Sequence, residues 1–255
     1  MSQLVLTEQV GAVAIVTLNR PERHNSLVPA FLGEILAALE GIGAEPGLRA
    51  VVLKANGRSF STGGDVGGFD AHRDDLVAYA RTLVGLLNQV ILALVDLPQP
   101  VVAAVHGIVT GGALGLVLGS DVVLVAPEVS FAPYYCVVGF GPDGGWTAIL
   151  PDVIGPRRAA EVLLRNLTID AEQAVAWGLA NQIVPADEIH DEALRIAQEI
   201  AAKKPGSVRH TKRLLGLARG NLAARLEAER AHFVAQIETD EARQGIAAFL
   251  GERRR

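Results

Sequence analysis

The chain has 255 residues, half of them hydrophobic, a formal net charge of −5 and one cysteine. That length carries one large domain with ample apolar material for a core, and the negative balance argues against generic binding to nucleic acid or membrane, which are polyanionic partners. A lone cysteine, Cys136, excludes an intramolecular disulfide and a cysteine-rich metal site, and it suits a reducing compartment.

No stretch reaches the about 18 uninterrupted apolar residues of a transmembrane helix, and the first residues lack a basic segment followed by an apolar one. The expectation is a cytoplasmic protein. Cys136 lies in the apolar run Cys136-Val137-Val138 and reads as a buried small residue rather than a nucleophile.

In chain order, residues 4–7 and 13–18 predict a strand hairpin around Gly11, followed by a polar, proline-containing turn over 19–25. Phe31, Ile35, Leu36, Leu39 and Ile42 recur at three- and four-residue steps, which predicts a helix over 29–42; residues 44–48 break it. A strand over 50–54 then runs into a glycine-rich loop, 56–68, and a long helix over 74–95 ends at Pro98 and Pro100. The continuous apolar stretch 101–105 predicts a strand covered on both faces, as in α/β layers. His106-Gly107 ends it, and Gly111-Gly112 precede an apolar run that predicts a buried helix.

Further strands are expected over 121–126 and 129–131, then a third glycine-rich turn over 139–146 with a helix starting near Asp143. Helices over 156–164 and 171–178 and a short extended piece at 183–184 follow. From Asp187 the pattern is helical over 187–203, 206–217, 222–239 and 240–250. The class is α/β, with a ββα core over residues 1–200 and a helical C-terminal region over 201–255.

Three glycine turns that each follow a strand can converge at one end of a sheet, where ligands bind in such folds. Glycines at a helix start let the backbone approach a ligand, and the unpaired N–H groups of the first turn suit an anion or a polarised carbonyl oxygen. Gly111, Gly112, Gly115 and Gly119 equally suit tight packing of a helix on a sheet. Neither GxGxxG nor GxxxxGK[ST] occurs, so a dinucleotide or nucleoside triphosphate is not indicated. No cluster has metal-ligand spacing.

Several linked motifs occur in one order: Leu18-Asn19-Arg20-Pro21 with Asn25 and Leu27, Gly57 through Val66, Ala104-Val105-His106-Gly107 with Gly111-Gly112, and Asp121. The Gly139 to Gly145 turn, residues 174–179 with Val184, and Gly245 to Leu250 continue it. With these the chain resembles the enoyl-CoA hydratase/isomerase, or crotonase, superfamily over its whole length. The resemblance implies a spiral of ββα units with a helical C-terminal trimerisation region, assembly as a homotrimer or homohexamer, and a coenzyme A thioester as substrate with no separate cofactor. It places the two N–H groups that hold the thioester oxygen at Gly64 and Gly112. Coenzyme contacts map onto Glu22, His24, Thr62 and Gly63. Cations for the phosphates are sought among Lys203, Lys204, His210, Lys212 and Arg213, residues that also read as a solvated helix face.

Hydratases of that family carry two glutamates, and the matching positions here are Gly115 and Tyr135. Hydration needs one group to take a proton from water and another to protonate carbon. Asp143 instead stands where the family's isomerases place their acid/base and its benzoyl-CoA dehalogenases a nucleophile; Tyr135 stands where the dehalogenases use an aromatic residue. From the residues alone, Asp143 also reads as a helix cap.

Asp65 is expected to shape the oxyanion loop, His106 to be a hydrogen-bonded structural residue, and the charged segment 70–75 to be exposed at the border of an acyl pocket. Glu238, Asp240 and Glu241 read as solvated positions or trimer contacts. The apolar stripes Leu222, Leu226, Phe233, Ile237 and Ile246, Phe249, Leu250 suggest that the C-terminal helices need a neighbouring subunit for burial. The leading expectation is double-bond isomerisation of an enoyl-CoA. Acyl-CoA hydrolysis through Asp143, a hydratase-like lyase with atypical residues, and a non-catalytic binding protein are the alternatives.

Overall fold

A computed structural model describes residues 3–217 and 220–252. Strands β1 (Val5–Val10) and β2 (Val13–Leu18) form the antiparallel hairpin expected around Gly11. Helix α1 (Pro29–Ala44) starts on a proline, whose missing N–H costs nothing at that position, and turns Phe31, Leu32, Ile35, Leu39 and Ile42 inward. Strand β3 (Ala50–Ala55) pairs parallel with β2, so every residue of β2 is buried between two neighbours.

Within the loop that follows, a short helix α2 (Val66–Ala71) is capped by Asp65, whose carboxylate accepts from the Gly67 N–H. Helix α3 (Leu76–Asp96) is long and apolar enough by composition to cross a membrane. Here it is a core helix, with Leu83, Val84, Leu87, Val90, Ile91 and Leu94 buried.

Strand β4 (Val101–Val105) is buried at every position, and the chain then leaves for β5 (Ile108–Thr110), a single 3-10 turn at Gly111–Ala113 and α4 (Leu114–Leu118). It returns as β6 (Val122–Val125) and leaves again as β7 (Ser130–Ala132) and α5 (Tyr135–Val138). Next come α6 (Leu150–Ile154), α7 (Pro156–Arg165), β8 (Ile169–Asp170), α8 (Ala171–Ala176) and β9 (Gln182–Ile183). Helices α9 (Ile189–Ala201), α10 (Pro205–Leu217), α11 (Leu222–Ile237) and α12 (Asp240–Glu252) complete the described chain.

The strands form a six-stranded sheet, β1-β2-β3-β4-β6-β9, and a three-stranded sheet, β5-β7-β8. The chain alternates between them, in keeping with the spiral of ββα units that the resemblance implies. On one face of the larger sheet, α9 covers Val13, Ile15, Val52, Val102 and Leu124. On the other, α1, α3 and α11 build the larger core.

Three sequence expectations change. No helix begins at Asp143: residues 144–149 are turns and α6 starts at Leu150, because Gly144 and Gly145 have φ of 63° and 83°, which a right-handed helix cannot take. Cys136 is exposed, since α5 is a single turn that points Tyr135 and Val138 inward and leaves Cys136 and Val137 outside.

Third, the stripe Leu222, Leu226, Phe233, Ile237 and Ile246 is buried in this chain's own core, α11 against α3 and α12 against α2 and α5. These faces therefore need no partner subunit for burial, and the C-terminal region shares one core with the strands. Leu226→Ala is expected to lower unfolding free energy by about 2–5 kcal/mol in urea titration, the cost of a core cavity; a change within error would mean that α11 is not part of the folding unit.

Candidate active site

Three backbone turns meet, two where α2 and α4 begin and one between α5 and α6. The first, Ser61 to Gly64, is stitched to both sides: Ser61 N–H donates to the Ile108 carbonyl at 3.1 Å, Thr110 N–H to the Ser61 carbonyl at 3.2 Å, and Leu27 N–H to the Gly63 carbonyl at 2.7 Å. Gly63 has φ 71°, and a Cβ there would lie 2.4 Å from the Thr110 carbonyl oxygen. Only glycine fits.

Asp65, one residue beyond Gly64, anchors this turn. Its carboxylate accepts from Arg20 and Arg23 at 3.2 Å and from the Ser26 hydroxyl at 3.3 Å. Burial opposes its ionisation, but the Arg23 and Arg20 guanidiniums outweigh that and hold its pKa below the ordinary carboxylate value.

The second turn is Gly111-Gly112, whose N–H groups precede the first helical bonds. The third carries Asp143, and Gly144 presses it onto the second: a Cβ on Gly144, at φ 63°, would stand 2.5 Å from Gly112 Cα. Trp146, fully buried, fixes the arrangement by donating from Nε1 to the Gly111 carbonyl at 2.8 Å.

Asp143 itself is buried, and a Cβ on Gly112 would lie 3.0 Å from its Oδ1. The Tyr135 hydroxyl donates to that Oδ1 at 2.6 Å and to the Asp143 carbonyl at 3.0 Å. Burial raises the Asp143 pKa to about 7; the Tyr135 hydrogen bond works against this and the charge of Glu229 adds to it. The Tyr135 phenol is pushed well above its ordinary value, by burial first and then by Asp143, so it stays a donor.

Gly64, Gly112, Tyr135, Thr62 and Asp143 line one cavity of about 390 Å³. Its apolar wall is an aromatic cluster, Phe69, Phe140 and Phe233, with ring centroids 5.2 to 6.0 Å apart. A second cavity of about 170 Å³, lined by Glu22, Arg23, His24, Ser26 and Asp65, adjoins it and shares Thr62, Gly64, Val66 and Phe249. A carbonyl oxygen over the glycine N–H groups and a proton-transferring carboxyl beside them is an arrangement that stabilises an enolate.

The sequence matches the family described as Enoyl-CoA hydratase/isomerase over residues 8–255. The chain belongs to that family. It is 34% identical over 254 residues, 95% of this chain and 96% of the relative, to a Thermus thermophilus protein named provisionally as an enoyl-CoA hydratase. It is 30% identical, over 99% of this chain and 97% of the relative, to the 1,2-epoxyphenylacetyl-CoA isomerase of Escherichia coli. The crystal structure of an enoyl-CoA hydratase/isomerase from Mycobacterium paratuberculosis superposes with a TM-score of 0.90, 29% identity, and coverage of 97% of this chain and 99% of that one.

Within the enoyl-CoA hydratase/isomerase family, the protein has Gly115 and Tyr135 at the two positions where the resemblance expects glutamates. A Cβ on Gly115 would lie 2.4 Å from Ile91 Cδ1, the end of that side chain, and 3.0 Å from the Gly144 carbonyl oxygen, so a larger residue there needs Ile91 to move. Tyr135 does reach the site, as the hydrogen-bond partner of Asp143.

The structure brings together most of the residues singled out by sequence. Gly63 contributes its backbone shape rather than a lining surface, and His106 is the structural residue expected, bonded from Nε2 to the Gly57 carbonyl at 2.8 Å. Lys212 is a correction. Its ammonium is buried, 2.7 Å from Asp121 and donating to the Leu94 and Gln99 carbonyls, so it pins α10 to the α3–β4 junction instead of facing either cavity.

Sequence reasoning passed over the aromatic wall and Glu229. Glu229 and the Phe233 of that wall had a signal: residues 222, 226, 229 and 233 follow helical spacing, which places a glutamate inside an apolar stripe.

The raised Asp143 value has a consequence for stability. A folded-state pKa of about 7 against about 4 unfolded means that stability is lost as pH rises from about 4 through 7, as the buried carboxyl is forced to ionise. Asp143→Asn is expected to melt a few degrees above the unsubstituted protein at pH 8, with the gap closing below about pH 4 by calorimetry. A gap independent of pH would contradict the burial argument.

Proposed function

We propose that the protein moves the double bond of an enoyl-CoA, with Asp143 as the single proton shuttle. The observation that carries this reading is that Asp143 is the one acidic side chain lining the cavity among the described residues, buried, with a pKa of about 7, beside Gly64 and Gly112. A group that must both take and return a proton works best when its pKa lies near the operating pH. Tyr135 occupies Oδ1 and leaves Oδ2 to meet the substrate.

In this mechanism Oδ2 takes a proton from the α-carbon of a 3-enoyl thioester. The C–H electron pair moves into the α–carbonyl bond, and the negative charge reaches the thioester oxygen, held by the Gly64 and Gly112 N–H groups. Loss of one such donor typically costs about 3 kcal/mol of barrier. Asp143 then returns its proton to the γ-carbon, the double bond lies between α and β, and the carboxylate is restored. The coenzyme runs through the smaller cavity along Glu22, His24, Thr62 and Asp65.

Hydration is disfavoured because, among the described residues, the cavity lining holds no second carboxylate beside Asp143. The proposal includes a cytoplasmic homotrimer or homohexamer, for which exposed Leu164, Leu214 and Leu215 supply apolar surface. A stable monomer in sedimentation at micromolar concentration would contradict that part.

Asp143→Asn is expected to lower kcat on a 3-enoyl-CoA by on the order of a hundredfold or more, with KM little changed. For the unsubstituted protein kcat/KM should rise with pH to a midpoint of about 7, because the reaction starts from the ionised carboxyl. Unchanged turnover in Asp143→Asn on every acyl-CoA tried, or efficient hydration of a 2-enoyl-CoA, would overturn the reading.

A further inference from the structure

Beyond the cavity, α11 carries a carboxylate that none of the steps above uses. Glu229 is 4% exposed, and four donors converge on it. Its Oε1 accepts from Thr147 N–H at 2.7 Å, Thr147 hydroxyl at 2.7 Å and Ala148 N–H at 2.8 Å; its Oε2 accepts from Gly145 N–H at 2.9 Å. Three of the four are backbone N–H groups, which can only donate, so both carboxylate oxygens are used as acceptors.

The segment served by these bonds lies directly after Asp143 and is neither helix nor strand. Buried N–H groups there need partners, and α6, which begins only at Leu150, does not supply them. Without Glu229 the turn that carries Asp143 would lose three of its backbone hydrogen bonds at once. A like charge near a buried carboxyl also disfavours its ionisation. Two titratable groups act on Asp143, the Tyr135 phenol from α5 and the Glu229 carboxylate from α11, and they act in opposite directions. The facing Gly111-Gly112 turn brings no charge.

We propose that Glu229 is the positioning residue of this enzyme, a buried carboxylate on α11 that templates the 145–148 turn, sets where Asp143 points and lays a like charge near it. It touches no reacting atom. This inference rests on Asp143 being the proton shuttle, and its test reads Asp143 separately from turnover.

The test uses the full chain and three variants, each checked for folding by circular dichroism. The Asp143 carboxyl is titrated by infrared difference against Asp143→Asn. In Glu229→Gln, an amide oxygen can keep the Thr147 and Ala148 bonds while the charge is gone, so the Asp143 midpoint should move to lower pH and the kcat/KM profile should follow it. Thr147→Val removes one donor and no charge, so the midpoint should stay. Glu229→Asp keeps the charge but withdraws it by one methylene, so the midpoint should move less than in Glu229→Gln while kcat falls on the order of tenfold to a hundredfold with KM little changed.

A folded Glu229→Gln protein with an unmoved midpoint overturns the proposal, as does a Thr147→Val shift of equal size, which would reduce the effect to a disordered turn. If Glu229→Gln does not fold, Glu229→Asp decides, and turnover equal to the unsubstituted protein overturns it. Failure of the shuttle reading shows elsewhere, as undiminished turnover in Asp143→Asn.

Discussion

The site depends on backbone lying against backbone. Gly144 rests on Gly112 and Gly63 on Thr110 at separations that exclude any side chain, and the contacts lock three turns from distant parts of the chain into one surface. Side chains follow from that choice. Trp146 ties the Asp143 turn to the Gly111 carbonyl, so the Asp143 carboxyl lies beside the N–H groups that would carry developing charge, and preorganised donors of this kind need no reorganisation during reaction. The same crowding brings Ile91 and the Gly144 carbonyl against Gly115.

Charge is distributed around this surface by burial. Asp65 is partly buried beside two arginines and stays ionised, which suits a carboxylate that ties Arg20, Arg23 and Ser26 to the oxyanion turn. Asp143 is buried among a phenol and a second carboxylate and holds its proton up to about pH 7. Two aspartates of the same chain thus take different work, one structural and one suited to proton transfer, through their neighbours alone.

Helix α11 joins the two halves of this arrangement. Its Phe233 forms part of the aromatic wall and its Glu229 holds the turn after Asp143, while Leu226 and Ile237 lie in the core. The C-terminal region is therefore built into the site of its own chain, and Phe249 of α12 lines both cavities.

The sequence by itself determined the elements whose cause is local. The β1–β2 hairpin, α1, α3, β4 and the glycine turns were legible because periodicity, proline positions and paired glycines act over a few residues, and the linked motifs marked Gly64, Gly112 and Asp143. Tertiary structure decided the rest. Asp143 caps no helix because the two left-handed glycines after it forbid one, and Lys212 meets Asp121 across 91 positions of chain. Glu229 finds Gly145 across 84. The pKa of a carboxyl and the partner of a buried ammonium are set by what the fold brings within a few ångströms, and spacing along the chain carries no record of that.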